Sequence, residues 1–578
     1  MAVVYLKAGV VQIRLDKDEK WRLAGSPVKP EKVSLDKHIY AIEVNRSSVE
    51  WMGDNFSTKE IAPKCREFMR TRLLAEIPDE PFPRDHRFRI IPPFQGPLPN
   101  QARVMDRAWR KPGFGIFHEM GCGKTLSAIS LISAYWEDES IHGALVTCPT
   151  SIKFNWVKEL NKHWPETSDF EVWVLTPDNM TRVDTWISED QDKKCKVLVV
   201  GIEALSQGTA WTKAERFLGC HDALMVVDES SRIKSPWQYS ARKKKVIAGM
   251  RTYRSVHLGK LAKHRLIMTG TSVTQGLQDL YSQFEFLDPS IIGSSNFYSF
   301  RNEYCVLGGA MGKQIVGYRN TNKLFGLIRP YCDVAVLDDI KDVPFLDDQL
   351  LVRMTPIQKS LTKKLKDEMF AEYEGRKLEI NTILEFMLRA QQIVGGFMPV
   401  EKNNVHLLKQ SESKYECEPL KENPKFDAAM DWVDGLNGKK AIIWARFIPE
   451  IEMFAKALDG YCVTFYGATS EEDRAKNVAA FEDPDSKARV FVGNPHTGGI
   501  GIDLIQGRHV LYYSNSFSLE TRLQSRARSR RVNQDEMVHY VDLLSDAAID
   551  KTLTQSIIKK MSVADYARTE LSDVTEMF

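Results

Sequence analysis

Between residues 144 and 268 the apolar residues gather into short unbroken runs: Ala144-Leu145-Val146-Thr147, Val172-Trp173-Val174-Leu175, Val197-Leu198-Val199-Val200, Leu224-Met225-Val226-Val227 and Leu266-Ile267-Met268. Runs of this length without alternation fit strands covered on both faces, as parallel strands are. The rhythm returns in Ala441-Ile442-Ile443-Trp444, Cys462-Val463-Thr464-Phe465, Val490-Phe491-Val492, Val510-Leu511-Tyr512-Tyr513 and Val538-His539-Tyr540-Val541. From about 290 to 420 it is lost, and the pattern there predicts mostly helix, over 356–375 and 378–392. Ahead of the first set, Val10-Val11-Gln12-Ile13 and Ile39-Tyr40-Ala41-Ile42 predict strands of a small accessory α+β domain over 1–77. Prolines recurring from Pro78 to Pro99 predict an extended linker. The expected organisation is therefore α/β, with one lobe over 100–290, a helical elaboration and connection over 291–420, and a second lobe over 421–578. Two such modules place a site in the cleft that joins them.

Composition narrows the class without choosing it. The chain has 578 residues, 43% hydrophobic and 27% charged, which is ordinary for a globular protein of three or four domains of about 150 residues. No apolar run approaches the roughly 18–20 residues a membrane span needs, so no membrane association is expected. The start alternates apolar and polar residues and carries Lys7 and Arg14, unlike a signal peptide. Nine cysteines, none in a Cys-x-x-Cys pair, argue against a structural zinc site or a disulfide framework and for a reducing, intracellular compartment. Formal net charge is +2, from 79 basic and 77 acidic residues. That balance does not exclude nucleic acid, which needs basic residues on one surface only. Two clusters qualify: Arg242-Lys243-Lys244-Lys245, equally readable as a solvated helix face, and Arg522, Arg526, Arg528, Arg530 and Arg531.

The chemistry begins at Gly121-Cys122-Gly123-Lys124-Thr125, ahead of an amphipathic stretch with Leu126, Ile129 and Ile132. Closely spaced glycines let backbone N–H groups converge on phosphate oxygens, and a following helix N-terminus adds its dipole. In such a loop lysine meets the β- and γ-phosphates and threonine binds Mg²⁺. The strict pattern would have glycine at 118, where this chain has His118. About a hundred residues on, Asp228-Glu229 closes an apolar strand. A carboxylate at a strand's C-terminal end can hold Mg²⁺, and its neighbour can orient and deprotonate an attacking water. Together the two motifs predict binding and hydrolysis of a nucleoside triphosphate.

The order of motifs resembles that of the Swi/Snf-type ATPases of helicase superfamily two. Gln101 stands where that family places an adenine-reading glutamine, and His118-Glu119-Met120-Gly121-Cys122-Gly123-Lys124-Thr125 is similar to its Asp-Glu-Met-Gly-Leu-Gly-Lys-Thr. Cys148-Pro149-Thr150-Ser151, with Asn155-Trp156 following, resembles its strand-end motif that touches the nucleic-acid backbone. Asp228-Glu229-Ser230-Ser231-Arg232-Ile233-Lys234 resembles its Asp-Glu-Ala-His-Arg-Ile-Lys box, and Thr269-Gly270-Thr271 its lobe-coupling motif. In the second lobe Tyr466-Gly467-Ala468-Thr469-Ser470 with Arg474, then Gly498-Gly499-Ile500-Gly501-Ile502-Asp503-Leu504, continue the series. Gln524, Arg528, Arg531 and Gln534 keep the spacing of the final motif. The segment from Phe300 to Asn320 resembles, more loosely, the HARP-type annealing helicases.

The resemblance implies two RecA-like lobes, with ATP and Mg²⁺ held by Gln101, Gly121, Cys122, Gly123, Lys124, Thr125 and Asp228, and by Gly501 and Asp503 of the second lobe. It assigns water activation to Glu229. Gln524, Arg528 and Arg531, four and three residues apart, would share one helix face and reach the γ-phosphate. The partner implied is double-stranded or branched DNA, touched by Thr150, Ser151, Thr271, Gly498 and Gly499, with protein partners reached through residues 1–77. His118, Ser231 and Asp503 replace the family's Asp, His and Asn, which puts the coupling between ATP and nucleic acid in question. An RNA helicase, or a catalytically weak ATPase kept as a DNA-binding scaffold, are the alternative readings.

Overall fold

The computed structural model describes parts of residues 3–65 and then residues 97–571, except 167–168, 190–193, 207, 241–244, 295, 310–313, 372–379, 402–414 and 499–501. Most of the expected linker, the basic cluster at 242–244, and Gly499 and Gly501 therefore lie outside the described residues. The chain divides into two compact units, Met1–Val336 with Val563–Phe578, and Leu337–Ser562.

The first unit opens with a four-stranded antiparallel sheet of β1 (Val3–Lys7), β2 (Val10–Arg14), β3 (Glu31–Ser34) and β4 (Ile39–Ile42), in the order β1-β2-β4-β3. Its alternate residues Val11, Ile13, Tyr40 and Ile42 turn inward with Val4, Met52 and Phe56 to make a small core.

The larger sheet follows. Helix α1 (Pro99–Ala108) leads into β5 (Gly113–His118), and helix α2 (Lys124–Glu137) into β6 (Gly143–Cys148). Helix α3 (Lys153–His163) precedes β7 (Asp169–Val174), β8 (Lys194–Gly201) and β9 (Ala223–Asp228). A hairpin of β10 (Gln238–Ser240) and β11 (Lys245–Ala248) precedes β12 (His264–Met268). A second hairpin, β13 (Cys305–Gly308) with β14 (Gln314–Tyr318), precedes β15 (Cys332–Ala335). Seven of these strands form one parallel sheet in the order β15-β5-β12-β9-β6-β8-β7.

The two faces of this sheet explain the unbroken apolar runs. Leu145, Leu198, Val200, Met225, Val227 and Ile267 enter the core on one side, and Ala144, Val146, Val197, Val199, Leu224 and Val226 enter the other. Every position of such a strand is interior, so period-2 alternation vanishes.

The second unit repeats the design with β16 (Phe345–Val352), the antiparallel pair β17 (Phe397–Glu401) and β18 (Tyr415–Pro419), then β19 (Ala441–Trp444), β20 (Cys462–Phe465), β21 (Val490–Gly493), β22 (His509–Tyr512) and β23 (Val538–Ser545). Six of them form a parallel sheet in the order β16-β23-β22-β19-β21-β20. Ile443, Val492, Leu511 and Val541 pack on one face, and Ile442, Trp444, Phe491 and Tyr512 on the other. Both units are RecA-like α/β lobes.

The segment 291–420 departs from the expected pattern. Its helices Pro356–Ala371 and Ile380–Val394 are present, but it also supplies an edge strand to each large sheet, β15 to the first and β16 to the second. No helix among the described residues is long and apolar enough to cross a membrane.

Candidate nucleotide site

Because the strands of the first large sheet are parallel, their C-terminal ends lie along one edge, and the loops leaving that edge carry the chemistry. From β5 the chain enters residues 119–123, with Gly121 at φ 88° and Gly123 at φ 74°. Gly123 is the N-cap of α2 in the left-handed region, where a Cβ would also stand 2.0 Å from the amide nitrogen of Gln101. Both the backbone and the space demand glycine there. The result is a tight turn delivering Lys124 and Thr125 at the start of a 14-residue helix.

The Lys124 ammonium donates to the carbonyls of His118 (2.9 Å) and Glu119 (3.2 Å). Helix α1 braces the loop from outside. The Gln101 amide donates to Gly123 O at 3.0 Å while its oxygen accepts from Leu98 N at 2.8 Å. Asn100 Nδ2 donates to Cys122 O at 3.0 Å. The glutamine placed at the adenine by resemblance is thus also a strut of the phosphate loop.

From β9 come Asp228 and Glu229. The buried Asp228 carboxylate accepts from the Trp156 indole N–H at 2.9 Å and from Glu229 N at 3.0 Å. Burial pushes this carboxyl up, opposed by the Trp156 hydrogen bond and the Lys124 charge. Glu229 adopts φ 53° and ψ 60°, a left-handed conformation costly for a side chain with a Cβ and characteristic of functional turns. From β12 comes Thr269, whose hydroxyl donates to the Glu229 carboxylate at 3.3 Å. That hydroxyl also accepts from Thr271 N at 3.1 Å, which ties Thr269-Gly270-Thr271 to the glutamate.

Farther along the same edge, the N–H and hydroxyl of Thr150 donate to one oxygen of Glu203 at 2.9 and 2.8 Å, and Arg232 donates to the other at 3.1 Å. Burial opposes the charge of Glu203, but the Thr150 bonds outweigh it and hold the carboxyl below its usual range. Ser151 is exposed beside Thr150 in a short 3-10 turn.

In the second unit the expected helical face does not form. The helix holding Gln524 runs over Leu519–Arg526 and ends there, so Arg528 and Arg531 lie beyond it in successive turns. Turn bonds from Ser529 N to Arg526 O (3.3 Å) and from Gln534 N to Arg531 O (2.9 Å) follow the helix. The turns still bring both arginines to one place: Arg528 donates to Ile502 O at 3.1 Å, and Arg531 to Ile502 O at 3.3 Å. Arg531 also pairs with Asp503 at 2.6 Å. Among the described residues Gln524 donates to Glu520, at 3.4 Å.

The other arginines of the cluster are structural. Arg522 makes a two-pronged pair with Asp542 at 2.8 and 2.9 Å, Arg526 pairs with Asp347, and Arg530 with Asp338. Gly498 ends a short turn of helix, Pro495–Gly498.

Comparison with known proteins places the chain in a family. A model of the SNF2-related domain matches residues 47–396, more than half of the chain, and a model of the helicase conserved C-terminal domain matches residues 424–533. The chain belongs to the SNF2-related family. Its SNF2 relatives include the ISWI chromatin-remodeling complex ATPase ISW2 of Saccharomyces cerevisiae, 24% identical over 77% of this chain and 38% of the relative. Chromodomain-helicase-DNA-binding protein 1 of Gallus gallus is 24% identical over 79% of this chain and 25% of its own length. The chain spans about a quarter to two fifths of the curated relatives it matches. Among solved structures it is similar to the Sulfolobus solfataricus SWI2/SNF2 ATPase core in complex with dsDNA, at 20% identity, over 82% of this chain and 93% of that one, with a TM-score of 0.34.

Two residues of this site escape the sequence reading. Trp156 stands in a motif, but nothing in the spacing marks it as the donor to Asp228. Glu203 carries no motif, and its signal is only a carboxylate beside an otherwise apolar strand.

Proposed function

We propose that the chain couples ATP hydrolysis to movement along double-stranded DNA, in fork remodelling, repair, recombination or displacement of bound proteins. One observation carries the reading: at the ends of β9 and β12 Thr269 bonds to Glu229 and Glu229 N to Asp228, and the Lys124 charge from the loop after β5 acts on the same Asp228 carboxylate.

Lys124 neutralises the β/γ-phosphates, and Glu229 takes the proton of the attacking water. Thr269 orients Glu229 through its hydroxyl. Arg528 and Arg531 supply positive charge to the transferring phosphoryl group. The Thr125 hydroxyl and the Asp228 carboxylate are hard oxygen donors, the type that suits Mg²⁺, and each Asp228 oxygen accepts one hydrogen bond and keeps a second lone pair. Bound there, Mg²⁺ supplies charge neutralisation at the β- and γ-oxygens.

Thr150, Ser151, Thr271 and the turn at Gly498 contact the phosphate backbone without reading bases, and basic side chains beside them, such as Arg232, which shares Glu203 with Thr150, make binding fall with salt. Residues 1–77 serve as a targeting module, a contact for protein partners or branched DNA.

The test is ATP hydrolysis measured in parallel with duplex, single-stranded, forked and RNA ligands. The reading expects duplex or forked DNA to stimulate most. RNA as the best activator supports an RNA helicase, and hydrolysis that no ligand stimulates contradicts the motor.

A further inference from the structure

His118, at the end of β5, and Asp333, the second residue of β15, are both fully buried, and the imidazole Nε2 lies 2.7 Å from a carboxylate oxygen. Asn100 fixes the tautomer. Its amide nitrogen stands 3.0 Å from His118 Nδ1 and also donates to Cys122 O, so Nδ1 accepts and Nε2 carries the proton toward Asp333.

Among the described residues Asp333 gathers three partners. Arg103 reaches it with two nitrogens at 2.9 and 3.2 Å, and Arg107 with one at 2.7 Å. Burial works against its charge, but the bonds from His118 and Arg103 hold the carboxyl at about 2. Burial holds the His118 imidazole below its ordinary value, hence neutral. The pair is a neutral donor on a fixed carboxylate.

Its position gives it a role. Lys124 donates to the carbonyls of His118 and Glu119, and a β/γ-phosphate competes for the same ammonium protons. The residues whose backbone feels that competition are the ones tied to β15. The His118 side chain binds Asp333, and Glu119 N donates to Ala335 O at 2.8 Å. One residue after Ala335 the chain passes into the second unit, which begins at Leu337.

We propose that His118 and Asp333 are a positioning pair that couples nucleotide at the phosphate loop to the strand leading into the second unit, and so to DNA stimulation of hydrolysis. The proposal rests on the reading of residues 121–125 as the ATP loop. Where the family pattern has a carboxylate at 118, this chain has the donor at 118 and the carboxylate on β15.

The test uses the full chain and matched polar substitutions. Glutamine places its amide nitrogen the same number of bonds from Cα as His118 Nε2, whereas asparagine reaches only as far as Nδ1. His118→Gln therefore keeps the donor to Asp333 and His118→Asn removes it, at similar cost to the fold. Hydrolysis is measured at saturating ATP with and without saturating duplex DNA, and affinity with a fluorescent ATP analogue.

The expected result for His118→Asn and Asp333→Asn is loss of duplex stimulation by about tenfold, with unstimulated rate and analogue affinity within about twofold of wild type. His118→Gln should recover at least half of the stimulation. If Asp333→Asn does not fold, the Gln and Asn variants at 118 decide. Equal stimulation in those two, or loss of analogue affinity in step with stimulation, overturns the coupling role. Wild-type hydrolysis that also survives Lys124→Ala overturns instead the phosphate-loop reading beneath it.

Discussion

Lys124 already points its ammonium along the loop that a polyphosphate would follow, because two carbonyls hold it there. Replacing it with alanine leaves the phosphate charge unopposed, and Lys124→Ala should hydrolyse ATP at under about 1% of the wild-type rate in a phosphate-release assay. Glu229 calls for a different signature. An amide cannot accept the water's proton, so Glu229→Gln should bind an ATP analogue with near-normal affinity while kcat falls by about 10²–10⁴. Normal turnover in that variant would show that another group is the base. Arg528 and Arg531 are distinguished from their neighbours by what they touch: a backbone carbonyl and Asp503, against the dedicated carboxylate partners of Arg522, Arg526 and Arg530. Arg531→Ala should therefore lower duplex-stimulated kcat by about 10² or more with ATP affinity little changed. Loss of ATP affinity with kcat intact at saturation would remove the arginine from the transition state.

At the scale of elements, one helix start in the second unit carries a titratable device that no motif announces. Glu450, in the first turn of helix Ile448–Ala457, accepts from Phe447 N at 3.2 Å and from the Ser514 hydroxyl, which in turn accepts from Arg446 N at 2.7 Å. It is fully buried, and burial pushes its carboxyl up to about 7. A raised folded value favours the neutral form, so its contribution is intact below the unfolded value and is lost as pH rises through about 7. Glu450→Gln removes the ionisation. Relative to wild type it should gain stability between about pH 5 and 8, by up to about 3 kcal/mol, read as the difference in thermal midpoint at each pH. A difference that does not change with pH would mean that Glu450 stays ionised in the fold.

The strands themselves divide by what makes them legible. Those in the middle of each sheet, such as β9 and β19, bury every residue and are plain in the sequence. β5 is equally buried but reads as Gly113-Phe114-Gly115-Ile116-Phe117-His118, because a Cβ at 113 or 115 would crowd Leu287 O and the Phe117 ring at 3.0 and 3.1 Å. Its glycines serve packing and erase its signature. β15 hides behind a buried aspartate, and β16 behind an edge position that leaves most of its residues exposed. In the first unit Thr269 is tied to Glu229 and Glu229 to Asp228 by hydrogen bonds that residue spacing alone does not show. In the second the helical register expected of the final motif does not form, because the helix ends at Arg526.

For the whole molecule, a net charge of +2 and a chain that covers only part of its larger relatives put the weight of the account on the motor core. Removing residues 1–77 should leave duplex-stimulated hydrolysis largely intact and weaken activity on forked DNA. Loss of all hydrolysis in that truncation would make the segment part of the motor. The central claim, that hydrolysis is geared to duplex DNA, is tested most directly by the steady-state ATPase rate of the full chain with matched duplex and single-stranded DNA across a salt series. The account predicts that the duplex stimulates more strongly and that the stimulation weakens steeply as salt rises. Stimulation by the single strand alone, with the duplex inert, would contradict it.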